Sequence, residues 1–344
     1  MTAADLRVAA VFISLKPDAL LFITFATTKR IGVKIYSGLD NFSAYTPVVT
    51  IGMFDGLHAG HRVLLNEVIA KAKANGGESV IISFWPHPRI VLNKDTERLR
   101  FLTTLEEKTR LFSETGIDHL VLIPFTKELA SLTAKEFIKN ILVDGIKLKH
   151  LIVGYDHRFG RDRLSSFEEY KKYAGEYRFS ISKIKAVEKD GDHISSSVIR
   201  RLLEAGDIQN ANRLLGYNYL LTGRVKGGMR LGRKLGYPTA NIEVQDPHKL
   251  IPPEGVYACM VSIVGETHGG MLNIGYRPTI NSEQKQLSIE VHIFDFFRDV
   301  YSEEISVEFI ERVRDEQKFE IVDDLKAQLK KDEKTIREIL KSKL

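Results

Sequence analysis

The chain has 344 residues, 43% of them hydrophobic and 28% charged, with 50 basic and 45 acidic side chains. That length suggests about two domains, and the composition is that of a globular protein with enough apolar residues for packed cores. The net charge of +5 is spread along the chain, which suits anionic small molecules and supplies no basic stripe for nucleic acid. The single cysteine, Cys259, excludes an internal disulfide and a multi-cysteine metal centre, and points to a cytoplasmic setting. It lies in an apolar run, where a buried thiol is expected rather than a reactive one.

The longest apolar run, residues 19–26, is far short of the roughly 20 residues a membrane span requires, so no membrane partner is expected. Lys16-Pro17-Asp18 interrupts the early apolar stretch and no clear small-residue cleavage site follows, which fits a signal peptide poorly.

At residues 48–61 a β-branched apolar run meets a glycine-punctuated turn and then a helical pattern through Ala74. A strand feeding such a turn at a helix N-terminus makes an anion site, because free N–H groups and the helix dipole both face the ligand. Gly56 and Gly60 allow phosphate oxygens close to the main chain. His58 and His61 can donate hydrogen bonds to those oxygens and stabilise charge as pyrophosphate leaves. The turn is neither a Walker A loop nor a GxGxxG turn.

Strand-like runs at 80–84, 119–123 and 151–154 then alternate with helical segments. Those segments open on the capping boxes Thr104/Glu107, Thr133/Glu136 and Ser166/Glu169. The alternation predicts a parallel sheet covered by helices on both faces, with ligands bound beyond the carboxyl ends of its strands. The histidine turn, residues 84–89 and residues 154–160 all fall at such ends. Pro86 and Pro88 stiffen the turn around His87, which either positions a flavin or phosphate or is an ordinary turn residue.

The run Gly52-Met53-Phe54-Asp55-Gly56-Leu57-His58-Ala59-Gly60-His61 resembles the His-x-Gly-His motif of nucleotidyltransferases that attack the α-phosphate of ATP. It looks specifically like the adenylyltransferase half of the bacterial bifunctional riboflavin kinase/FAD synthetase family. The resemblance implies a Rossmann-like α/β domain in which Gly52, Phe54, Asp55, Gly56, His58, Gly60 and His61 bind ATP. Ser195-Ser196-Ser197 with Arg200 resembles a further ATP-binding element, a capped helix start with a fixed charge one turn on. Residues 154–160 resemble a flavin-proximal loop, and with the resemblance His87, Pro88, Asp156 and Phe159 become flavin-binding candidates. His157, Thr126 and the Ser165-Ser166 pair depart from the family pattern there. Nothing in the family matches residues 1–32, which we expect to be an upstream extension, with Val33 a candidate valine-type start.

After residue 216 the pattern changes to short strands at 220–225, 256–264, 270–274, 287–294 and 305–309, which predict an antiparallel β-barrel with a helix only at the end. The glycine-rich basic stretch 223–241 ends in Pro238-Thr239-Ala240-Asn241. A Thr hydroxyl and an Asn carbonyl are neutral oxygen ligands suited to Mg²⁺ that also binds ATP phosphates. Period two along 288–294 puts Ile289, Val291 and Ile293 on one face and Glu290 and His292 on the other. A strand carboxylate is ionised at neutral pH and can accept a proton.

Gly232-Arg233-Lys234-Leu235-Gly236-Tyr237-Pro238-Thr239-Ala240-Asn241 resembles the riboflavin kinase signature at every fixed position. The resemblance implies ATP binding by Gly223, Gly232, Arg233, Gly236, Pro238, Thr239 and Asn241, with Thr239 and Asn241 as metal ligands. It makes Glu290 the catalytic base on the riboflavin hydroxyl and puts Arg277, Arg314 and Phe319 on the flavin side. The domains expected are an extension at 1–32, an adenylyltransferase at 33–203, a connector at 204–216 and a kinase at 217–344. Riboflavin, FMN, FAD and ATP are the implied partners. A chain retaining one activity, or a non-catalytic flavin-binding protein, are the alternatives.

Overall fold

β4 (Val48–Ile51) is buried along its whole length, as are most of β5 (Ser79–Trp85), β6 (His119–Pro124) and β7 (His150–Val153). Strands buried at nearly every position need cover on both faces, and a parallel sheet between helices provides it. With β3 (Lys34–Ser37) and β8 (Ser180–Lys183) at its edges, the sheet runs β3-β6-β5-β4-β7-β8, every neighbouring pair parallel. The two edge strands have exposed ends and weak apolar patterning. Neither carries an apolar run long enough to mark it as a strand in the sequence.

The structure, a computed structural model, describes residues 10–15, 19–24, 32–93, 96, 99–155, 160–161, 166–185, 188–189, 192–227, 232, 235–279 and 282–343. For 10–15, 19–24, 188–189, 192–193, 277–279 and 282–286 it describes the backbone alone. Residues Ala10–Leu15 (β1) and Ala19–Thr24 (β2) form an antiparallel pair. The chain divides into two compact units: Met1–Leu99 with Lys108–His193, and Arg100–Glu107 with Ile194–Leu344.

In the first unit, α1 (Ala59–Ala74) follows β4 directly, and α2 (Pro88–Val91) follows β5. The strand order reverses at β4: the chain steps through α1 to β5 and β6 on one side, then crosses to β7 and β8 on the other. The crevice beyond the carboxyl ends of β4 and β7 is therefore the topological switch point, the usual ligand site of an open α/β sheet. All three expected capping boxes form. Glu107 N–H donates to Thr104 at 3.2 Å and Thr104 N–H to Glu107 at 3.0 Å, at the start of α3 (Leu105–Ser113). The other two open α5 (Ala134–Phe137) and α6 (Phe167–Tyr177), counting Lys127–Ser131 as α4.

In the second unit, α7 (Ser196–Glu204) and α8 (Ile208–Leu215) precede a closed barrel. Taking Glu188–Lys189 and Asp192–His193 as β9 and β10, the barrel strands are β11 (Tyr219–Lys226), β12 (Ala240–Glu243), β13 (Gly255–Ile263), β14 (Glu266–Thr279), β15 (Ser282–Ile293) and β16 (Glu304–Arg314). They close in the order β11-β12-β15-β14-β13-β16, all neighbours antiparallel. β12, four residues long with Asn241 and Glu243 among them, is the barrel strand that periodicity missed. Cys259 is fully buried in β13, its thiol donating to the Gly270 carbonyl and pushed up in pKa by burial.

The final helix α9 (Val322–Lys343) packs Ile336 and Leu340 against Val256, Met271 and Phe294, so its apolar stripe is core. Residues 100–107 are held to the barrel through Phe101 and a fully buried ion pair, Glu107 with Lys249 at 2.6 Å.

Candidate active sites

In the first unit, the chain leaves β4 with Gly52 N–H still bonded to the Ile82 carbonyl at 3.0 Å. It then turns through positive φ at Phe54 (49°), Gly56 (79°) and Leu57 (36°). Side chains other than glycine adopt that region at a cost, and burial holds them there. Leu57 is fully buried, and the Phe54 ring, 2% exposed, stands edge-on to Phe112 at 5.7 Å and to His61 at 5.2 Å. Phe54, expected to bind ATP, is thus placed beneath His61. The Met53 carbonyl accepts the Lys108 ammonium at 2.8 Å and the Ser83 hydroxyl at 3.4 Å.

His58 caps α1, its Nδ1 accepting from the His61 N–H at 3.3 Å. A neutral His58 therefore carries its hydrogen on Nε2. Its ring stacks on that of His61, centroids 3.6 Å apart and planes 13° off parallel. Burial, then His58, then Lys108 hold the His61 pKa well below the ordinary histidine value. His61 is therefore a neutral donor around pH 7, and its buried Nδ1 has no hydrogen-bond partner among the described residues. Burial lowers the Lys108 pKa, and Asp55 opposes that shift.

Lys108 belongs to none of the sequence motifs. The available signal was its place on the same helix face as Leu111 and Phe112, three and four residues on, both of which are buried.

The remaining candidates of the first half are dispersed. His87 caps α2 through Nδ1, accepting from Arg89 N–H at 3.1 Å, with Pro88 in the helix's first turn. Gly60 lies in the first turn of α1. Ser195 caps α7, with Ser196, Ser197 and Arg200 in its first turns, and that helix clusters with the second unit. Thr126 caps α4. Asp156, His157, Phe159 and Ser165 lie outside the described residues, as do Arg233 and Lys234 of the second half.

On the barrel, Glu290 is register-paired with Asn241 on β12 and with Asn273 on β14. Thr239, just before β12, donates its hydroxyl to Glu290 Oε2 at 3.0 Å, and Ser288 donates to Oε1 at 3.0 Å. Ile289, Val291 and Ile293 are buried, so the period-two reading assigned the faces correctly. His292 bonds the Pro238 carbonyl at 2.8 Å, fixing the segment that carries Thr239.

Gly232 folds that segment back on itself, its carbonyl taking the Leu235 and Tyr237 N–H groups. A Cβ there would meet the Tyr237 carbonyl at 2.2 Å. Gly236 turns at φ 85°, and Gly223 lies in β11 against β12. A cleft beside Thr239 is lined by Val225, Val291, Phe296 and Tyr301.

Arg277 is in β14 opposite Gln286, and Phe319 is half-buried before α9. Arg314 is engaged by Asp332, which is 2% exposed, through three contacts of 2.7–3.1 Å, so it anchors α9.

Thr239, Asn241 and Glu290 make an all-oxygen donor set, which fits a hard divalent cation that keeps waters and phosphate oxygens in its shell. Among the described residues no group of three or more His, Cys, Asp or Glu side chains could hold a metal ion by itself.

A glycine-punctuated turn with two stacked histidines at the switch point of a parallel sheet, in one chain with a carboxylate–Thr–Asn cluster on a barrel, defines a two-domain enzyme of nucleotide chemistry. Family models agree in detail: FAD synthetase matches residues 42–198 and riboflavin kinase matches 215–340. A bifunctional riboflavin kinase/FMN adenylyltransferase of Listeria monocytogenes is 37% identical over 298 residues, covering 87% of this chain and 94% of that protein. Its Escherichia coli counterpart is 37% identical over 310 residues, covering 89% and 97%. A crystal structure described as a macrolide-efflux protein from Streptococcus pneumoniae is 31% identical, with a TM-score of 0.81 over 88% of this chain and 98% of that one.

The chain belongs to the bifunctional riboflavin kinase/FMN adenylyltransferase family. It is an enzyme of flavin cofactor biosynthesis, with a FAD synthetase domain and a riboflavin kinase domain. No helix among the described residues is long and apolar enough to cross a membrane.

Proposed function

We propose that the barrel phosphorylates riboflavin to FMN at Glu290 and that the α/β unit joins AMP to FMN at His58 and His61. The adenylyltransferase is assigned to residues 33–203, the connector to 204–216 and the kinase to 217–344, with 1–32 an extension. Glu290 takes the proton of the ribityl 5′-hydroxyl as its oxygen attacks the γ-phosphorus of ATP and ADP leaves. Thr239 and Ser288 fix both carboxylate oxygens, so Glu290 meets the hydroxyl in one orientation.

In the second step an FMN phosphate oxygen attacks the α-phosphorus of ATP, and the bond to pyrophosphate breaks. His58 and His61 donate to phosphate oxygens as charge builds there, and the α1 N-terminus adds its dipole. A divalent cation, assigned as Mg²⁺, would be held in the kinase by Thr239 and Asn241 and supplies charge neutralisation on the phosphate oxygens when bound. Arg277, Arg314 and Phe319 are assigned to flavin binding in the kinase, and His87, Pro88, Asp156 and Phe159 to flavin binding in the adenylyltransferase, on the family resemblance. A cytoplasmic location belongs to the same reading, supported by the free, buried Cys259.

The observation that carries the proposal is the Thr239–Glu290 contact opposite Asn241, in the same chain as the stacked histidine pair. Incubating the full chain with riboflavin, ATP and Mg²⁺ and separating the flavins tests it. FMN and FAD should both accumulate; a reaction that stops at FMN, or gives neither, rules the two-step reading out.

A further inference from the structure

Lysines are seldom buried unless their charge is met. Lys108 is 3% exposed, and its ammonium donates to the Met53 carbonyl at 2.8 Å and stands 6.0 Å from the Trp85 ring centroid. Asp55, itself 5% exposed, favours its charged form. Ser83 reaches the same carbonyl from β5, so side chains of two elements converge on one peptide of the strained turn. That peptide immediately precedes Phe54, whose ring supports His61.

We propose that Lys108 is a positioning residue for adenylyl transfer, fixing the turn at 52–56 through the Met53 carbonyl and holding a positive charge behind His61. This rests on the adenylyltransferase reading of the first unit. The charged and titratable groups acting on His61 are His58 from the start of its own helix and Lys108 from α3, with Asp55 beside Lys108. Burial first, then His58 and Lys108, disfavour a charge on His61, so the ring stays neutral and donates from a fixed place. Lys108 touches no reacting atom in this scheme; it acts through the turn and through His61.

The test compares Lys108→Met, which keeps the stem, with Lys108→Arg, which keeps the charge, both in the full chain. His61 is titrated by NMR of ring-labelled histidine, and FMN adenylylation is followed by pyrophosphate release. In Lys108→Met the His61 titration should move up and kcat should fall by about a hundredfold, with KM for ATP little changed. Lys108→Arg should hold the titration low and recover part of kcat. The urea transition followed by the fluorescence of Trp85, the chain's single tryptophan, reports intact folding of the first unit in the same samples.

An unmoved His61 titration in Lys108→Met overturns the proposal, as does an unchanged kcat. If Lys108→Met no longer folds, Lys108→Arg decides: a His61 titration that stays low with part of kcat retained supports the proposal, and one that moves up to the ordinary value of 6.5 overturns it. Absence of FMN adenylylation in the wild type would defeat the functional reading alone, because the titration is read without turnover.

Discussion

Thr239 and Glu290 lie 51 positions apart in sequence, and the barrel brings the threonine hydroxyl onto the glutamate Oε2 at 3.0 Å. The contact joins the segment that precedes β12 to the middle of β15, and it sets a group suited to phosphate beside a group suited to a hydroxyl proton. Replacing the acid while keeping its shape separates proton acceptance from packing. Glu290→Gln should lower riboflavin phosphorylation by about 10²–10⁴-fold. FAD formation from supplied FMN should persist, and FMN and FAD measured by chromatography give both rates from one sample.

The stacked histidines make the converse case. His58→Ala or His61→Ala should each cut FMN adenylylation by about 10²–10³-fold, the usual loss for one oxyanion donor. Riboflavin phosphorylation should be retained. Loss of both activities in a variant that still folds would contradict the assignment of one reaction to each unit.

Glu107 and Lys249 form an ion pair with both side chains fully buried. The ammonium also meets the Leu102 and Leu220 carbonyls, and Glu107 accepts the Thr222 N–H. Removing one partner leaves an uncompensated buried charge, so Lys249→Met should cost about 3–5 kcal/mol. Urea unfolding followed by far-ultraviolet circular dichroism measures this, and a loss within about 1 kcal/mol, the range of a surface pair, would show the charge to be already hydrated.

His61 gives the acid limb of stability a definite sign. Above the ordinary histidine value of 6.5 the ring is neutral both folded and unfolded. Below it the unfolded chain takes up a proton that the native ring refuses, so the unfolded state binds more protons and stability falls. The loss runs from 6.5 down through the lowered native value, where it levels off. His61→Phe should flatten that part of the pH–stability curve, measured by urea midpoints between neutral and mildly acid pH.

Local order carried most of the sequence reading. The capping boxes at Thr104, Thr133 and Ser166, the faces of β15 and the helix start at His58 all depend on residues a few positions apart. Geometry of the chain alone couples such residues. The short or polar strands β3, β8 and β12 left no such trace, because edge position and barrel closure, not apolar content, make them strands.

The amino-acid order by itself determined that a glycine-punctuated turn with two histidines precedes a helix, and that a Thr–Asn pair and a period-two glutamate lie further on. The tertiary fold alone decided that Glu290 meets Thr239, that Arg314 serves Asp332, and that Lys108 is drawn inward to the Met53 carbonyl. The reason is that each of these depends on a partner 18 to 55 residues away. Burial and strand register choose such partners, and neither is written in the spacing of neighbours.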